Sequence, residues 1–313
     1  VALGRSRIAP KSQALALSEK QAAAACGQPL LMAAWQQAFD PHGLHVAQLL
    51  LTQHDSENRR SWLNARNTLL ALLEAGIIPI INENDTVATA EIRYGDNDRL
   101  AARVAQMSGS DALVLLSDID GLYTANPHSH ADARHLPEVT EITPAIEAMA
   151  SGVQKSGSFG SGGMITKIEA AKIATKSGCT TWLCSGHESH PLKALREGGK
   201  HTVFRSRLTP LSARKQWITG AIQPVGEVFV DAGAARALQS GKSLLFAGVK
   251  EIRGDFSKGD LLAVYDQSKK RIAKGLSNHD KRDALPLLGK RSNDIGENLP
   301  AELIHRDNLV MES

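Results

Sequence analysis

"GIIPIINENDTVATAEIRYGDNDRLAARVAQMSGSDALVLLSDIDG", residues Gly76 to Gly121, decides the fold. Its run "IIPII" is β-branched and reads as a buried strand, although Pro79 lacks an N–H and sits poorly at a central position. "DNDRLAARVAQMSG" spaces its apolar residues as a helix, with Asp98 a good N-cap, and "ALVLLSD" is a second apolar strand. The cycle continues in both directions. Upstream, Trp62, Leu63, Leu69, Leu70 and Leu73 recur at threes and fours, predicting one helix from about Ser56 to Ala75 that Gly76 stops. Downstream, "MITKIEAAKIATKSG" reads as a helix and "CTTWLCSG" as a third strand. Such alternation predicts an α/β fold of parallel strands, crossover helices on both faces, and a binding crevice at the strands' carboxyl ends.

The texture changes near Thr209. "TPLSARKQWITGAIQPVGEV" reads as a proline- and glycine-punctuated connection. After it come short β-like runs, "GEVFVD", "SLLFAGVKEIRG", "GDLLAVYD", "KRIAKGLS" and "ELIHRDNLV", which predict a small β-rich barrel. The division expected is therefore 1–212, a linker over 213–224, and 225–313. At 313 residues, with 42% hydrophobic and 22% charged residues, the chain has the composition of a globular enzyme of two domains. Its 36 basic and 33 acidic residues are interleaved to a net +3, so no tail advertises nucleic acid or an anionic membrane. No apolar run approaches a membrane span and no secretory signal pattern is present, from which a cytoplasmic location is expected. Cys26, Cys179 and Cys184 form neither a disulfide framework nor a Cys-x-x-Cys pair, and suit core filling in a reducing compartment.

Three polar clusters fall where an α/β crevice has its site: Asn82, Glu83, Asn84 and Asp85 after the first strand, Ser117, Asp118 and Asp120 after the second, and Asp96, Asn97 and Asp98 at the helix between them. Singly each has a structural reading, as cap or Asp-Gly turn. Jointly they face "GSGGMITK", Gly160–Lys167, a glycine stretch opening a helix that carries Thr166 and Lys167. A helix N-terminus with a lysine suits a phosphate, yet the P-loop spacing is absent, because Met164, Ile165 and Thr166 separate Gly163 from Lys167. A linker running into a helix is the alternative. The loop "NPHSHADARH", with His128, His130 and His135, lacks ligand spacing for a metal and reads as a solvated excursion, as do His187 and His190. No metal-ligand set is assigned.

Together "IPIINENDTVATAEIRYGDNDRLAARVA", "LLSDIDGLYTANP" and "GSGGMITKIEAAKIA" resemble the glutamate 5-kinase branch of the amino acid kinase family, and the segment from about Val225 resembles its C-terminal PUA domain. The resemblance implies a three-layer sandwich with a mainly parallel sheet, plus the PUA barrel. It implies ATP as co-substrate with Mg2+, and phosphorylation of the glutamate γ-carboxylate, which is ionised at neutral pH and needs no general base. By the same resemblance Lys167 and Asp98 are catalytic, and Asp85, Asn97 and Asn82 hold the amino acid. Ser117, Asp118, Ser161, Gly162, Gly163, Met164, Ile165, Thr166 and Lys167 bind the nucleotide. Proline as feedback inhibitor, glutamate-5-semialdehyde dehydrogenase as partner and a homo-oligomeric state are implied by the family as well. Ser161 and Ser117 stand where the family often has threonine. "VALGRSRI" reads as starting mid-element, at least one βα unit of about 30 residues downstream of the family's start. The family's phosphate-binding lysine loop and a Ser-Gly-Ala turn would then precede Val1, and the chain as it stands is expected to be at most feebly active.

Two other readings compete. One is a degenerate kinase copy or a PUA-mediated RNA-binding protein without kinase activity, but Lys250, Arg253, Lys258, Lys269, Lys270, Arg271 and Lys274 are dispersed with few aromatics among them, which describes a solvated face better than an RNA surface. The other keeps the chemistry and changes the substrate to a related carboxylate.

Overall fold

The chain divides into two units, Val1–Pro210 and Leu211–Ser313. The computed structural model describes residues 2–8, 15–88, 97–127, 129–151, 163–220, 223–296 and 299–312. The first unit opens with a 3-10 turn, Arg5–Arg7, then α1 (Leu17–Phe39), β1 (Val46–Leu51), α2 (Gln53–Glu57), α3 (Arg59–Glu74), β2 (Ile78–Glu83), α4 (Asn97–Ser108) and β3 (Ala112–Ser117). Next come β4 (Leu122–Tyr123), β5 (His135–Leu136), β6 (Glu138–Val139), α5 (Pro144–Ser151), α6 (Met164–Lys176), β7 (Thr180–Ser185), α7 (Pro191–Arg196) and β8 (His201–Phe204).

The helix expected from about Ser56 is two helices. Asn58 adopts an extended conformation (ψ 117°) and its side-chain oxygen accepts from the Ser61 N–H at 3.1 Å, so it ends α2 and caps α3. Gly76 stops α3 in the left-handed region, φ +71°.

β1 and β2 pair in parallel, as do β3 and β7, and β6 and β8. β7 and β8 are antiparallel, which leaves the strands mainly parallel, as expected. Gly198 (φ +85°) and Gly199, where a Cβ would lie 2.8 Å from the Ala194 carbonyl oxygen, turn the chain straight from α7 back into β8. Among the described residues no ladder joins β2 to β3. The two strands and α4 instead border a cavity of about 300 Å³, touched by Pro79, Ile81, Ala112 and Leu113. Pro79 thus lies on an edge strand, where proline is tolerated.

Two helices fix the site. α4 buries Leu100, Ala102, Ala105 and Met107, and α6 buries Met164, Ile168, Ala170, Ala171 and Ala174. The small residues let the two helices approach closely, and each large apolar side chain taken out of water contributes roughly 1.5–3 kcal/mol. Leu115, Leu183 and Phe204 complete this core from the strands beneath.

The second unit holds α8 (Pro210–Gly220), β9 (Gly226–Val230), α9 (Ala232–Gln239), β10 (Leu244–Leu245), β11 (Val249–Gly254), β12 (Leu261–Tyr265), β13 (Arg271–Leu276), α10 (Lys281–Ala284), β14 (Glu302–Ile304) and β15 (Leu309–Met311). Its main sheet has the order β11-β9-β12-β13-β15, around a core that includes Val228, Phe246, Leu262, Val264, Leu303 and Ile304. The stretch from Thr209, expected to be a bare connection, contains α8. Pro210 stands at the helix start, where its ring is compatible, and the Lys274 ammonium donates to the Thr219 carbonyl at 2.8 Å, tying α8 to β13. Among the described residues no helix is long and apolar enough to cross a membrane.

Candidate active site

Asp98 and Lys167, 69 residues apart, meet where α4 and α6 begin. The Lys167 ammonium donates to Asp98 Oδ2 at 2.8 Å, and the side chains are only 12% and 14% exposed for lysine and aspartate. Asp98 is therefore not the cap its sequence suggests: α4 begins at Asn97, and Asp98 stands inside the first turn with its carboxylate turned to α6. The Thr166 hydroxyl lies 3.1 Å from the same Oδ2 and 2.8 Å from the Gly163 carbonyl oxygen, and its one proton serves one of them at a time. Beside them Arg99 Nε donates to Glu169 Oε2 at 2.6 Å, a half-exposed clamp between the same two helices.

The placement of Lys167 is electrostatically uphill. A cation in the first turn of a helix opposes the positive end of the dipole, and α4 also presents its N-terminus to the pair. Asp98 offsets both. Gly163 caps α6 in an extended conformation (ψ −168°), makes no side-chain cap bond and brings no side chain of its own to the helix start. A first turn of backbone N–H groups with an ammonium beside it is suited to a phosphoryl group.

The carboxyl ends of β1, β2, β3 and β7 supply the rest. Ser117 is 8% exposed, and its hydroxyl donates to Asp118 Oδ1 at 3.1 Å, while the Gly186 N–H donates to the Ser117 carbonyl at 2.6 Å. Asn82, near the end of β2, uses its side-chain oxygen to accept the Glu83 N–H at 3.0 Å, and Glu83 is buried. Asn84 anchors the following turn: its N–H donates to the Leu51 carbonyl at 2.8 Å, and its side chain accepts from Thr86. Asp85 is half-buried in that turn. Asn97 is exposed at the head of α4 and borders the cavity between β2 and β3. Met164 is buried and packs α6 into the core, whereas Ile165 is exposed. The structure thus joins Asp98, Lys167, Thr166 and Gly163 directly, and Ser117 to Asp118. Ser161, Gly162 and Asp96 lie outside the described residues.

A second polar group adjoins Asp118, and the sequence pattern does not mark it as a unit. Tyr123 Oη donates to Asp120 at 2.8 Å, and Lys200, at the head of β8, donates to Tyr123 Oη at 2.6 Å and lies 3.2 Å from Asp120. Burial pushes the Asp120 carboxyl up, but the Tyr123 hydroxyl and the Lys200 ammonium outweigh it and hold the group below the usual range. The same bonds raise Lys200, and burial followed by the Lys200 charge lowers His135, which meets the Tyr123 ring edge-on. No local motif signals Lys200; only the β7–β8 reversal brings it there. His135 is thereby a packed residue rather than part of a solvated excursion. Among the described residues no three His, Cys, Asp or Glu side chains gather to hold a metal ion.

The amino acid kinase family model matches residues 3–185, and the PUA domain model matches residues 226–298. The glutamate 5-kinase of Caulobacter vibrioides (strain NA1000 / CB15N) is 52% identical over 314 residues, covering 99% of this chain and 83% of that protein. The glutamate 5-kinase of Paramagnetospirillum magneticum is 54% identical over 316 residues, covering 100% and 85%. Among solved structures, UMP kinase from Ureaplasma parvum aligns over 56% of this chain and 66% of that one, at 14% identity and a TM-score of 0.39. With a carboxylate-held lysine at a helix start and relatives more than half identical along nearly all its length, the chain belongs to the glutamate 5-kinase branch of the amino acid kinase family, with its PUA domain.

Proposed function

We propose that this chain transfers the terminal phosphoryl group of ATP to the γ-carboxylate of L-glutamate, giving glutamyl 5-phosphate and ADP, the first step of proline biosynthesis. The observation that carries the reading is the Lys167–Asp98 pair at the glycine-capped start of α6. A carboxylate oxygen attacks the γ-phosphorus, the bond from that phosphorus to the β,γ-bridging oxygen breaks, and its electrons leave with ADP. No proton moves, so the chemistry asks for charge cancellation and alignment alone.

On this reading Lys167 neutralises the phosphoryl group in transfer, and Asp98 positions Lys167 against the field of the two helices. The α6 N-terminus receives the phosphates, with Ser161, Gly162, Gly163, Met164, Ile165 and Thr166 around them, and Ser117 and Asp118 hold the nucleoside end. Asp85 pairs with the α-ammonium of glutamate, helped by Asn97 and Asn82. Mg2+, which the family implies, would come with the nucleotide, whose phosphate oxygens are ligands of the kind it takes. The kinase domain would run over 1–212 and the PUA domain over 225–313, and the link between them, 213–224, would include the greater part of α8. A cytoplasmic enzyme accords with three unpaired cysteines. Proline inhibition, a glutamate-5-semialdehyde dehydrogenase partner and a homo-oligomeric state are carried by family membership alone.

The test is ADP release by the full-length protein with glutamate, aspartate or N-acetylglutamate. Glutamate should be the preferred acceptor. A preference for either of the others would overturn the substrate while leaving the kinase chemistry standing.

A further inference from the structure

Lys200 belongs to no motif, and the fold alone brings it to the site. In the sheet order β3-β7-β8, Leu116 lies opposite Cys184, and Cys184 opposite His201. Because β8 runs against β7, the residue just before β8 stands at the edge where β3 ends in Ser117 and Asp118 follows. There Lys200 meets the segment Asp118–Gly121, which is in neither helix nor strand and leads from β3 into β4.

Main-chain bonds brace the far end of this segment. The Thr124 N–H donates to the Arg134 carbonyl at 2.9 Å. The Leu122 N–H donates to Thr202 Oγ1 at 2.7 Å, and the Thr202 hydroxyl donates to the Leu136 carbonyl at 2.6 Å, so one β8 side chain holds both β4 and β5. At Gly121 a Cβ would lie 2.5 Å from His135 Nε2 and 2.7 Å from Thr202 Oγ1, so the chain is pressed against both. The near end is held by side chains. The Ile119 N–H donates to Ser117 Oγ at 3.4 Å, and Asp120 takes the Tyr123 hydroxyl and the Lys200 ammonium. Tyr123 Oη has one proton, which goes to Asp120, and a lone pair, which accepts from Lys200. Lys200 thus closes a ring of three side chains, and without it Asp120 keeps the tyrosine but loses the cation.

The ring is too open to solvent to contribute much to stability: Lys200 is 51% exposed and Asp120 36%. Its effect falls on shape instead, because affinity for a ligand is reduced by the fraction of molecules whose site lacks the binding geometry.

We propose that Lys200 is a positioning residue for the nucleotide: through Tyr123 and Asp120 it fixes the segment that carries Asp118 and so sets the affinity for ATP, given the proposed role of Ser117 and Asp118 at the nucleoside end. The acceptor site and the transfer step do not depend on it.

ATP with Mg2+, titrated calorimetrically into the full-length protein without glutamate, reads the affinity, and steady-state kinetics read the rest. In Lys200→Met the Kd and KM for ATP should rise about three- to tenfold, while kcat and KM for glutamate stay within about twofold of the parent. Tyr123→Phe should behave alike, and the double variant should be at most about twofold worse than the weaker-binding single, since both act through one network. Lys200→Arg, which keeps the charge and the donors, should regain most of the affinity. The melting temperature of Lys200→Met should stay within about 4 °C of the parent, and a larger drop would make the residue structural and overturn the proposal. Asp118→Ala separates the role of Lys200 from that of the nucleoside end. Weaker ATP binding in Asp118→Ala with none in Lys200→Met would overturn the role of Lys200 alone, and no weakening in either would overturn both. Weakening in Lys200→Met but not in Asp118→Ala, additive losses in the double variant, or an equal rise in KM for glutamate would each overturn the role of Lys200 as well.

Discussion

Neutralising Asp98 should cost the fold more than removing the lysine it holds. Asp98→Asn keeps the shape of the pair but leaves the Lys167 ammonium, 12% exposed, without its counter-charge at a helix start. The lost charge-assisted hydrogen bond contributes about 1.5–3 kcal/mol. The unopposed dipole at the ammonium adds about 0.3–1 kcal/mol. The sum is about 2–4 kcal/mol, and for a unit of this size each kcal/mol moves Tm by about 2–4 °C, so the transition should fall by about 5–15 °C. Lys167→Met removes the same bond but also takes the cation away from the helix start. Asp98 then keeps the first turn of α4, where an anion is favoured, and the Thr166 hydroxyl at 3.1 Å. That variant should lose about 1 kcal/mol or less, in keeping with a residue placed for chemistry rather than for stability. Scanning calorimetry of both variants beside the parent gives the comparison. Equal losses, or a larger loss in Lys167→Met, would refute the electrostatic account of the pair.

Asp85→Asn should raise KM for glutamate while sparing KM for ATP, and N-acetylglutamate, which has no α-ammonium, should be used at least about tenfold less well than glutamate; steady-state kinetics with both acceptors reads the two effects. His279 is 3% exposed, with Nε2 2.8 Å from the Pro300 carbonyl oxygen, and burial lowers its pKa below the ordinary 6.5 despite that bond. Below pH about 6.5 the unfolded chain takes up a proton that the folded one resists, so stability should fall as the pH drops toward the folded value and level off beneath it. His279→Gln should flatten that slope in urea titrations at a series of pH values. Burial, aided by Asp111, pushes the Cys179 thiol up to about 11, and burial also raises Cys184. A thiol reagent at neutral pH should therefore modify only the half-buried Cys26 rapidly, and all three cysteines after denaturation.

The strands and helices around Gly76–Gly121 and Met164–Ser185 are legible in the sequence because their patterns are local: apolar runs of strand length, helical spacing, and glycines at the stops. α1 is not, because Leu17–Phe39 has no single apolar stripe and Pro29 lies inside it. Nor is α8, whose Pro210 begins a helix where it looks like punctuation. The break at Asn58 hides between two stretches that each favour helix, and is visible only in the bond from Ser61. In α9, Asp231 caps the helix by accepting the Ala234 N–H at 2.9 Å, a signal that eight residues among β-like runs do not make plain.

Site residue types can be read for the same local reason, since acids at strand ends and a lysine at a helix start need no knowledge of the partner. Their pairing cannot. Asp98 and Lys167 meet through the packing of α4 on α6, and Lys200 reaches Tyr123 and Asp120 across 77 and 80 residues because the chain reverses after α7. Such contacts belong to tertiary structure, and no motif encodes them.

The central claim is that Lys167 acts on the phosphoryl group in flight, and single-turnover transfer from γ-labelled ATP to glutamate, with the acyl phosphate trapped by hydroxylamine, tests it most directly. In Lys167→Ala the rate of hydroxamate formation at saturating substrates should fall about 10²–10³-fold, with KM for ATP changed by a few-fold at most, because a group that cancels developing charge contributes mainly in the transition state. A variant that keeps its saturated rate and loses only ATP affinity would contradict the account.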